Sequence, residues 1–265
     1  MTTHLLRPSA LTLAASLSLL GTAPVGAAAI DKRTETAIPR TGNLYGLGIG
    51  VLPATSGSNE LRTMVLPVIQ ASFGERFYIN ALRAGVWLVD SDDRRLRFGL
   101  AADARFGWDA DDSTRTKGMH DRDFSVDVGP ALRWQTDYGT LNAQWGFDSG
   151  GASKGQSVQV QFVRALIRGP GLRLNGIVGL TWNDRRMNDY YFGVSPTEVA
   201  PGRPAYRAGS GTQWQAGING AWPAGQRGSV LFGLMATRLG DAQAGSPIVE
   251  TRLQPLAYLG YGWTF

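Results

Sequence analysis

The fold class is decided by the stretch Tyr258-Leu259-Gly260-Tyr261-Gly262-Trp263-Thr264-Phe265. Counting back from Phe265, alternate positions carry Trp263, Tyr261 and Leu259, whereas the positions between them carry threonine and glycine. Side chains of a β-strand alternate between its two faces, so this pattern predicts a strand with one apolar face that ends in aromatic residues. A soluble β-sandwich has the same alternation, and the pattern alone does not separate the two folds.

The aromatic end of this strand separates them. Phe265, with Trp263 two positions before it and Gly260 five positions before it, resembles the C-terminal signal by which bacterial outer-membrane barrels are recognised for assembly. No packing requirement of a soluble domain calls for that arrangement. We therefore predict an assembly signal made of Gly260, Tyr261, Trp263 and Phe265.

Other segments repeat the alternation of apolar and polar positions. It extends over residues 94–108, 124–134 and 172–182, and in Asn43–Pro53 the apolar residues alternate with glycine. The polar face holds mostly Gly, Asn and Gln rather than the Lys and Glu of a solvated sheet, which predicts a narrow polar lumen. Its charged members are Arg95, Arg97, Asp103, Arg105, Asp127 and Arg133. These charges either pair with one another across the interior or line an anion-preferring path, and we favour pairing.

The connections between strands set the expected strand number. Long connections at residues 109–122, 149–155, 185–210 and 240–249 alternate with short turns at 90–93, 137–139, 169–171 and 223–226. A single-chain bacterial barrel has an even number of strands, with its long loops outside and its short turns in the periplasm. We predict an all-β, antiparallel transmembrane barrel of twelve strands if residues 77–89 form two strands, and of ten if they form one. A bulge is expected near Phe162 and Val163.

Composition and targeting agree with an exported barrel. Residues 1–29 combine a basic start, a Leu/Ala-rich core and small residues, which predicts a secretory signal peptide. Residues 30–42 are polar without periodicity and are expected to be a periplasmic lead-in to a barrel over residues 43–265. The absence of cysteine excludes disulfides and thiolate metal sites. The net charge of +5 is dispersed along the chain, so no nucleic-acid partner is expected.

Two stretches in the longest predicted loop go beyond a generic barrel. They are Tyr191-Phe192-Gly193-Val194-Ser195 and Pro204-Ala205-Tyr206-Arg207-Ala208-Gly209, and they resemble the loop signature of the MipA/OmpV family. The motif positions are Tyr191, Phe192, Gly193, Val194, Ser195 and Tyr206. Further agreement comes from Gly46-Leu47-Gly48-Ile49-Gly50, Leu66-Pro67-Val68, Arg76-Phe77-Tyr78 and Ser246-Pro247-Ile248-Val249.

The resemblance implies a monomeric outer-membrane barrel in contact with lipid and lipopolysaccharide. The best-known member of that family is a scaffold that joins a murein-hydrolysing lytic transglycosylase to a bifunctional penicillin-binding synthase, so such partners would bind on the periplasmic side. We expect no enzymatic activity and no cofactor. The alternatives are a narrow small-solute channel and a surface-exposed stress or adhesion protein.

The loops offer three further alternatives. His120 lies among aspartates, and with Ser113 it suggests either a hydrolase or a weak divalent-cation site, against the ordinary solvated loop that we prefer. Basic side chains in the longest loop either bind lipopolysaccharide phosphates or are ordinary rim charges; they are Arg185, Arg186, Arg203 and Arg207. The aromatic residues of that loop form either a lid over the barrel, which we prefer, or an adhesive patch.

Overall fold

The computed structural model describes residues 43–265, which form one closed antiparallel barrel of twelve strands in sequence order. The strands are β1 Leu44–Pro53, β2 Leu61–Phe73, β3 Phe77–Asn80, β4 Arg83–Asp90, β5 Leu96–Arg105, β6 Ser125–Gln135, β7 Thr140–Asp148, β8 Gln156–Arg168, β9 Arg173–Asn183, β10 Gly211–Ala224, β11 Gly228–Arg238 and β12 Leu253–Thr264. The prediction of an antiparallel twelve-strand barrel is confirmed, and the ten-strand alternative is wrong. The predicted signal peptide and lead-in lie outside the described residues.

The last strand closes the barrel. β12 pairs with β11 and with β1, where the register runs from Leu44 opposite Thr264 to Val51 opposite Ala257. Glycine is required at this closure, because a Cβ atom on Gly46 would collide with the carbonyl oxygen of Tyr261. The alternation found in the sequence is preserved, with Leu47 and Leu259 exposed on the outer face.

The two ends of the barrel differ in the length of their connections. Five short turns lie at the end that also holds both termini of the barrel, and we call this end the turn rim; the turns are residues 74–76, 91–95, 136–139, 169–172 and 225–227. The other end carries the connections 54–60, 106–124, 149–155, 184–210 and 239–252, whereas the turn 81–82 joins β3 to β4 short of that end, beside Ile69 of β2. Two helices lie in those loops, α1 (Arg185–Phe192) and α2 (Asp241–Ala244).

The region of β3 and β4 is shorter than the rest of the wall. β3 has four residues, and the chain turns at Ala81 and Leu82, where Ala81 adopts a φ of 50°. This is the pair of short strands on which the twelve-strand prediction depended. A tilted strand needs about 9–11 residues to cross a bilayer, so β3 does not reach the loop end.

Two local predictions are wrong. The strand predicted over residues 94–108 is shorter and runs from Leu96 to Arg105. It ends before Trp108 because this residue pairs with Arg122 across the base of the following loop and is fully buried there. The bulge expected near Phe162 and Val163 is absent, and the register of β8 against β9 shifts between Ala165 and Ile167 instead. Val163 is an apolar residue that faces the interior. In the sequence, its position next to Phe162 looks like a change in the alternation of apolar and polar residues.

The interior combines buried charges, buried amides and apolar clusters. Strands β5 and β6 supply the buried charged side chains, as predicted for a polar lumen, and buried amides occur on strands around the barrel. Two apolar clusters lie beside these polar groups: Leu52, Met64, Leu66, Val163, Ile177, Met235 and Leu256 in the middle, and Leu44, Ala221 and Leu231 near the turn rim. The interior thus contains the predicted polar groups together with apolar clusters that the prediction of a polar lumen did not include. Among residues 43–265, no helix is both long and apolar enough to cross a membrane.

Candidate functional site

The loops opposite the turn rim fold over the barrel mouth, and we call residues 106–124, 184–210 and 239–252 the outer cap. Its centre is a buried apolar cluster: Trp108, Ala110, Met119, Met187, Tyr191, Phe192, Val194, Ala208, Leu239 and Ile248. Tyr190 and Tyr206 pack against it. These aromatic side chains therefore form a lid over the mouth, and the exposed adhesive patch is not the arrangement observed.

Local geometry explains the loop motif. Helix α1 begins after Asp184, whose carboxylate accepts a hydrogen bond from the backbone N–H of Met187 at 2.8 Å. It ends at Gly193, where a Cβ atom would collide with the carbonyl oxygen of Asp189. The backbone of Val194 then pairs with that of Tyr206. Of the six motif positions, Tyr191, Phe192, Gly193 and Val194 are buried, Tyr206 is half-buried, and Ser195 is exposed.

A buried ion pair holds the cap together. Arg122 Nη1 lies 3.1 Å from Glu198 Oε1, and both side chains are less than one-tenth exposed. The Arg122 guanidinium also lies 5.0 Å from the Trp108 ring and 5.6 Å from the Tyr190 ring. Burial alone would raise the pKa of Glu198, but hydrogen bonds from Arg122 and from the backbone N–H groups of His120 and Ser195 lower it to about 2.

The predicted lumen charges occupy two different environments. Arg97, Asp103, Arg105, Asp127 and Arg133 are buried in the interior. Arg105 pairs with Asp127, Arg97 with Asp90 at 2.8 Å, and Asp103 with Arg83 at 2.6 Å. Arg95 does not belong to this set, because it precedes β5 and lies in the turn rim. The cap rests on the interior pair, since the Arg105 guanidinium lies 5.8 Å from the Tyr191 ring.

The structure separates the residues of the hydrolase alternative. Ser113 is buried, with its hydroxyl oxygen 3.2 Å from that of Ser58, whereas His120 is exposed. Asp112 pairs with Arg62, and Asp121 accepts a hydrogen bond from the backbone N–H of Ala110. Across residues 43–265, no group of three or more His, Cys, Asp or Glu side chains is arranged to hold a metal ion.

The loop arginines also divide into two groups. Arg203 is buried, and its guanidinium donates to the carbonyl oxygens of Glu198, Arg115 and Lys117 at 2.9, 2.8 and 3.0 Å. It serves to brace the cap and is not available to a phosphate. The exposed members are Arg185, Arg186 and Arg207.

The turn rim carries polar side chains in exposed pairs. Arg94 lies 3.0 Å from Glu75, and Arg95 lies 3.3 Å from Asp137, so these contacts join three neighbouring turns. Each of these side chains remains more than one-third exposed. Tyr138 is the aromatic of this cluster and is 72% exposed.

Comparison with known proteins identifies the family. The family model described as MltA-interacting protein MipA matches residues 45–265. The chain belongs to this family.

Individual relatives of this MipA-family barrel are distant. Outer membrane protein Omp26La of Vibrio anguillarum and outer membrane protein OmpV of Vibrio cholerae are each 29% identical over 147 residues, which is 56% of this chain and 57% of the relative. The chain thus matches little more than half the length of these two proteins. The MltA-interacting protein of Escherichia coli is 23% identical over 235 residues, 88% of this chain and 94% of that protein. A solved bacterial polysaccharide outer membrane secretin has a TM-score of 0.44 at 9% identity, covering 86% of this chain and 100% of that one.

The family and the fold are those of an outer-membrane barrel and not of a known enzyme family. The protein is located in the bacterial outer membrane. Barrels of this type place their short turns in the periplasm, so the turn rim faces the periplasm and the outer cap faces the exterior.

Sequence reasoning missed several partners of the residues that it selected. Glu198 and Arg122 were not singled out, because a lone charge in a long loop has no periodicity from which burial could be inferred. Asp90 fell at the start of a predicted turn, and Arg83 lies within residues 77–89, whose number of strands the sequence left open. The only indication of pairing was the sign of the charges, since Arg83 is opposite in charge to Asp103 and Asp90 is opposite in charge to Arg97.

Proposed function

We propose that this protein is an outer-membrane scaffold that presents its turn rim to peptidoglycan-remodelling enzymes, a lytic transglycosylase and a penicillin-binding synthase. The supporting family evidence is the match over residues 45–265 to the model of the MltA-interacting protein. The relative from E. coli carries the same description and aligns with 88% of this chain.

The observation that carries the proposal is the contrast between the filled barrel and its accessible rim. The outer mouth and the interior are occupied by apolar clusters and ion pairs, whereas the side chains of the turn rim are exposed to the periplasm. Tyr and Arg are enriched among residues that dominate binding energy at protein interfaces. Arg94, Arg95 and Tyr138 are exposed residues of these types within one cluster.

The filled interior makes the channel a weaker candidate than the scaffold. Barrels of about eight strands are filled by side chains, whereas those of 16–18 strands leave an aqueous channel. Here the interior arginines Arg83, Arg97 and Arg105, three of those that face the lumen, each pair with an aspartate. The positive charge of each of these three side chains is therefore balanced by a neighbouring carboxylate, which weakens the attraction of the lumen for an anion.

The experiment is recovery of murein enzymes from crosslinked native envelopes with the full-length protein as bait. The test variant is Arg94→Ala/Arg95→Ala/Tyr138→Ala in the turn rim. The matched control is Arg185→Ala/Val199→Ala/Arg207→Ala, which removes two arginines and one exposed apolar side chain from the outer cap. Strand content measured by circular dichroism checks that both variants fold.

We expect the wild-type protein and the outer-cap control to recover a transglycosylase and a penicillin-binding synthase, and the turn-rim variant to lose both. Equal recovery by the turn-rim variant contradicts the assignment of the partner surface. Failure of the wild-type protein to recover any murein enzyme contradicts the scaffold function itself.

A further inference from the structure

The barrel wall has a gap beside β2. This strand pairs with β1 over Leu61–Gln70 but with β3 only over Gln70–Phe73. β3 ends at Asn80, so on that side no described strand pairs with residues 61–68 of β2. We call this region the wall gap: it is bounded by residues 61–68, by the turn at 81–82 and by the end of β5. It lies in the half of the wall nearer the outer cap.

The direction of the β2 backbone shows which groups face the wall gap. The carbonyl oxygen of Ile69 accepts a hydrogen bond from the backbone N–H of Ala81 at 2.6 Å. Because every second residue of a strand directs its peptide groups to the same side, Thr63, Val65 and Pro67 direct theirs into the wall gap. Proline has no N–H to pair, and within sheets it occurs where a neighbouring strand is missing. Pro67 is therefore suited to this position.

An open strand edge facing lipid is costly, because hydrocarbon offers its peptide groups no partner. Such an edge is tolerated where it is covered by protein or lines a cavity. A cavity of about 50 Å³ lies at the foot of the wall gap. Its lining combines Pro67 and Ala81 with the inward-facing residues Leu66, Val68 and Leu231, so it extends from the edge of β2 to the apolar clusters of the interior.

One polar group in this cavity is unsatisfied. The side chain of Gln70 lines the cavity and is 7% exposed, and neither its amide nitrogen nor its amide oxygen has a hydrogen-bond partner within residues 43–265. Burying an amide without a partner is unfavourable. A ligand that supplies both a donor and an acceptor at this point would remove that cost.

The surroundings indicate where such a ligand comes from. Arg62 pairs with Asp112 at 2.5 Å, and the backbone N–H of Thr114 donates to Glu60 at 3.1 Å, so the loop 106–124 is fastened across the top of the wall gap. Towards the membrane, Leu61 and Val65 are exposed to lipid, at 56% and 62%. The loop 106–124 thus lies at the outer end of the wall gap, and the outward-facing side chains beside the gap are exposed on the lipid side.

We propose that the wall gap is a lateral binding site for a single-chain amphiphile with a small neutral head group, such as a fatty amide, a fatty alcohol or a protonated fatty acid. The head group hydrogen-bonds to Gln70 in the cavity, whose volume accommodates about two groups of the size of a water molecule. The chain extends outwards along Val65 and Pro67 into the bilayer. This site is independent of the proposed scaffold function.

The test uses the full-length protein in phospholipid vesicles with hexadecanamide carrying a diazirine next to the head group. After photolysis, mass spectrometry locates the labelled residues. We expect labels on the inward-facing residues Leu44, Val68 and Leu231. Labels confined to outward-facing residues such as Leu47 and Leu259 would show only contact with the outside of the barrel and would overturn the proposal.

Two variants separate specific binding from general access. Val68→Phe fills the cavity and is expected to reduce interior labelling on the order of tenfold, since overpacking a filled site is strongly unfavourable. Val178→Phe adds the same side chain on the lipid face of β9 and should leave interior labelling unchanged. Circular dichroism verifies that each variant forms a barrel.

Gln70→Leu keeps a similar side-chain volume but removes the amide. Interior labelling by the amide probe should fall about five- to tenfold, the range expected for loss of a buried hydrogen bond. A hexadecane probe with a diazirine at its chain end should label this variant at least as well as wild type. Unchanged labelling of Gln70→Leu by the amide probe would contradict the role of Gln70.

Discussion

At the outer cap, charged residues are buried in an apolar cluster, whereas at the turn rim similar ion pairs stand in solvent. Arg122 and Glu198 are 9% and 3% exposed, while Arg94 and Glu75 are 51% and 52% exposed. The geometry of the two pairs is similar, with N–O distances of 3.1 and 3.0 Å. The two ends thus differ in the solvent access of their ion pairs and not in the geometry of those pairs.

The largest difference in stability between the two ends should appear when the arginine of each ion pair is replaced. Arg122→Ala leaves Glu198 buried without its partner and removes two contacts with aromatic rings, which should cost about 3–5 kcal/mol. Arg94→Ala should cost at most about 1 kcal/mol, because exposed ion pairs contribute little. Urea titration, followed by protease cleavage within residues 184–210 and by circular dichroism, measures both. Equal effects would remove the distinction between the ends.

Aromatic side chains should show the same contrast. Trp108→Ala opens a cavity in the centre of the cap and should lower its stability by about 3–4 kcal/mol. Tyr138→Ala at the turn rim should change stability by less than about 0.5 kcal/mol, as is usual for exposed positions. The same urea titration compares the two variants. A large loss for Tyr138→Ala would mean that this residue packs within the barrel rather than serving a partner.

The cap should also depend on pH through Glu198. The pKa of this carboxyl is lowered from its ordinary value of 4.5 to about 2 in the folded cap. Its contribution is therefore fully present above pH 4.5 and is lost as the pH falls towards 2, with a total on the order of 3 kcal/mol. Protease cleavage of residues 184–210 measured between these pH values should increase in the wild type.

Glu198→Gln provides the control for this pH dependence. It should be less stable than the wild type at neutral pH and should lose most of the acid sensitivity, because the amide does not titrate. Persistence of the full acid transition in Glu198→Gln would assign it to other carboxylates of the cap.

The smallest effect is expected for the conductance of the barrel when the longest loop is removed. Planar bilayers containing the wild-type protein should show no conductance, and a variant in which residues 184–210 are replaced by a short glycine-serine linker should show none either. The reason is that two further apolar clusters and the interior ion pairs lie below the cap. Stepwise currents in the loop variant alone would show that the cap is the gate of a channel.

Periodicity made the barrel predictable and also set the limits of the prediction. Alternation places Tyr45, Leu47 and Ile49 on the outer face without any knowledge of the partner strands. The reason is that the lipid-facing positions of each strand must be apolar, whichever strands lie beside it. The same rule failed at Trp108, because after Arg105 the chain leaves the wall and packs into the cap. It also failed at Val163, whose apolar character has its explanation in the neighbouring cluster across the lumen.

The terminal strand shows what the sequence by itself determined: an antiparallel outer-membrane barrel of twelve or ten strands, because a two-residue period and the spacing of turns are local properties. Tertiary structure alone decided which charges pair, that apolar clusters lie in the interior, and that β2 keeps an open edge beside Pro67. Those features depend on contacts between residues far apart in the chain, such as Arg122 with Glu198. No local pattern encodes which residues will meet across a closed barrel.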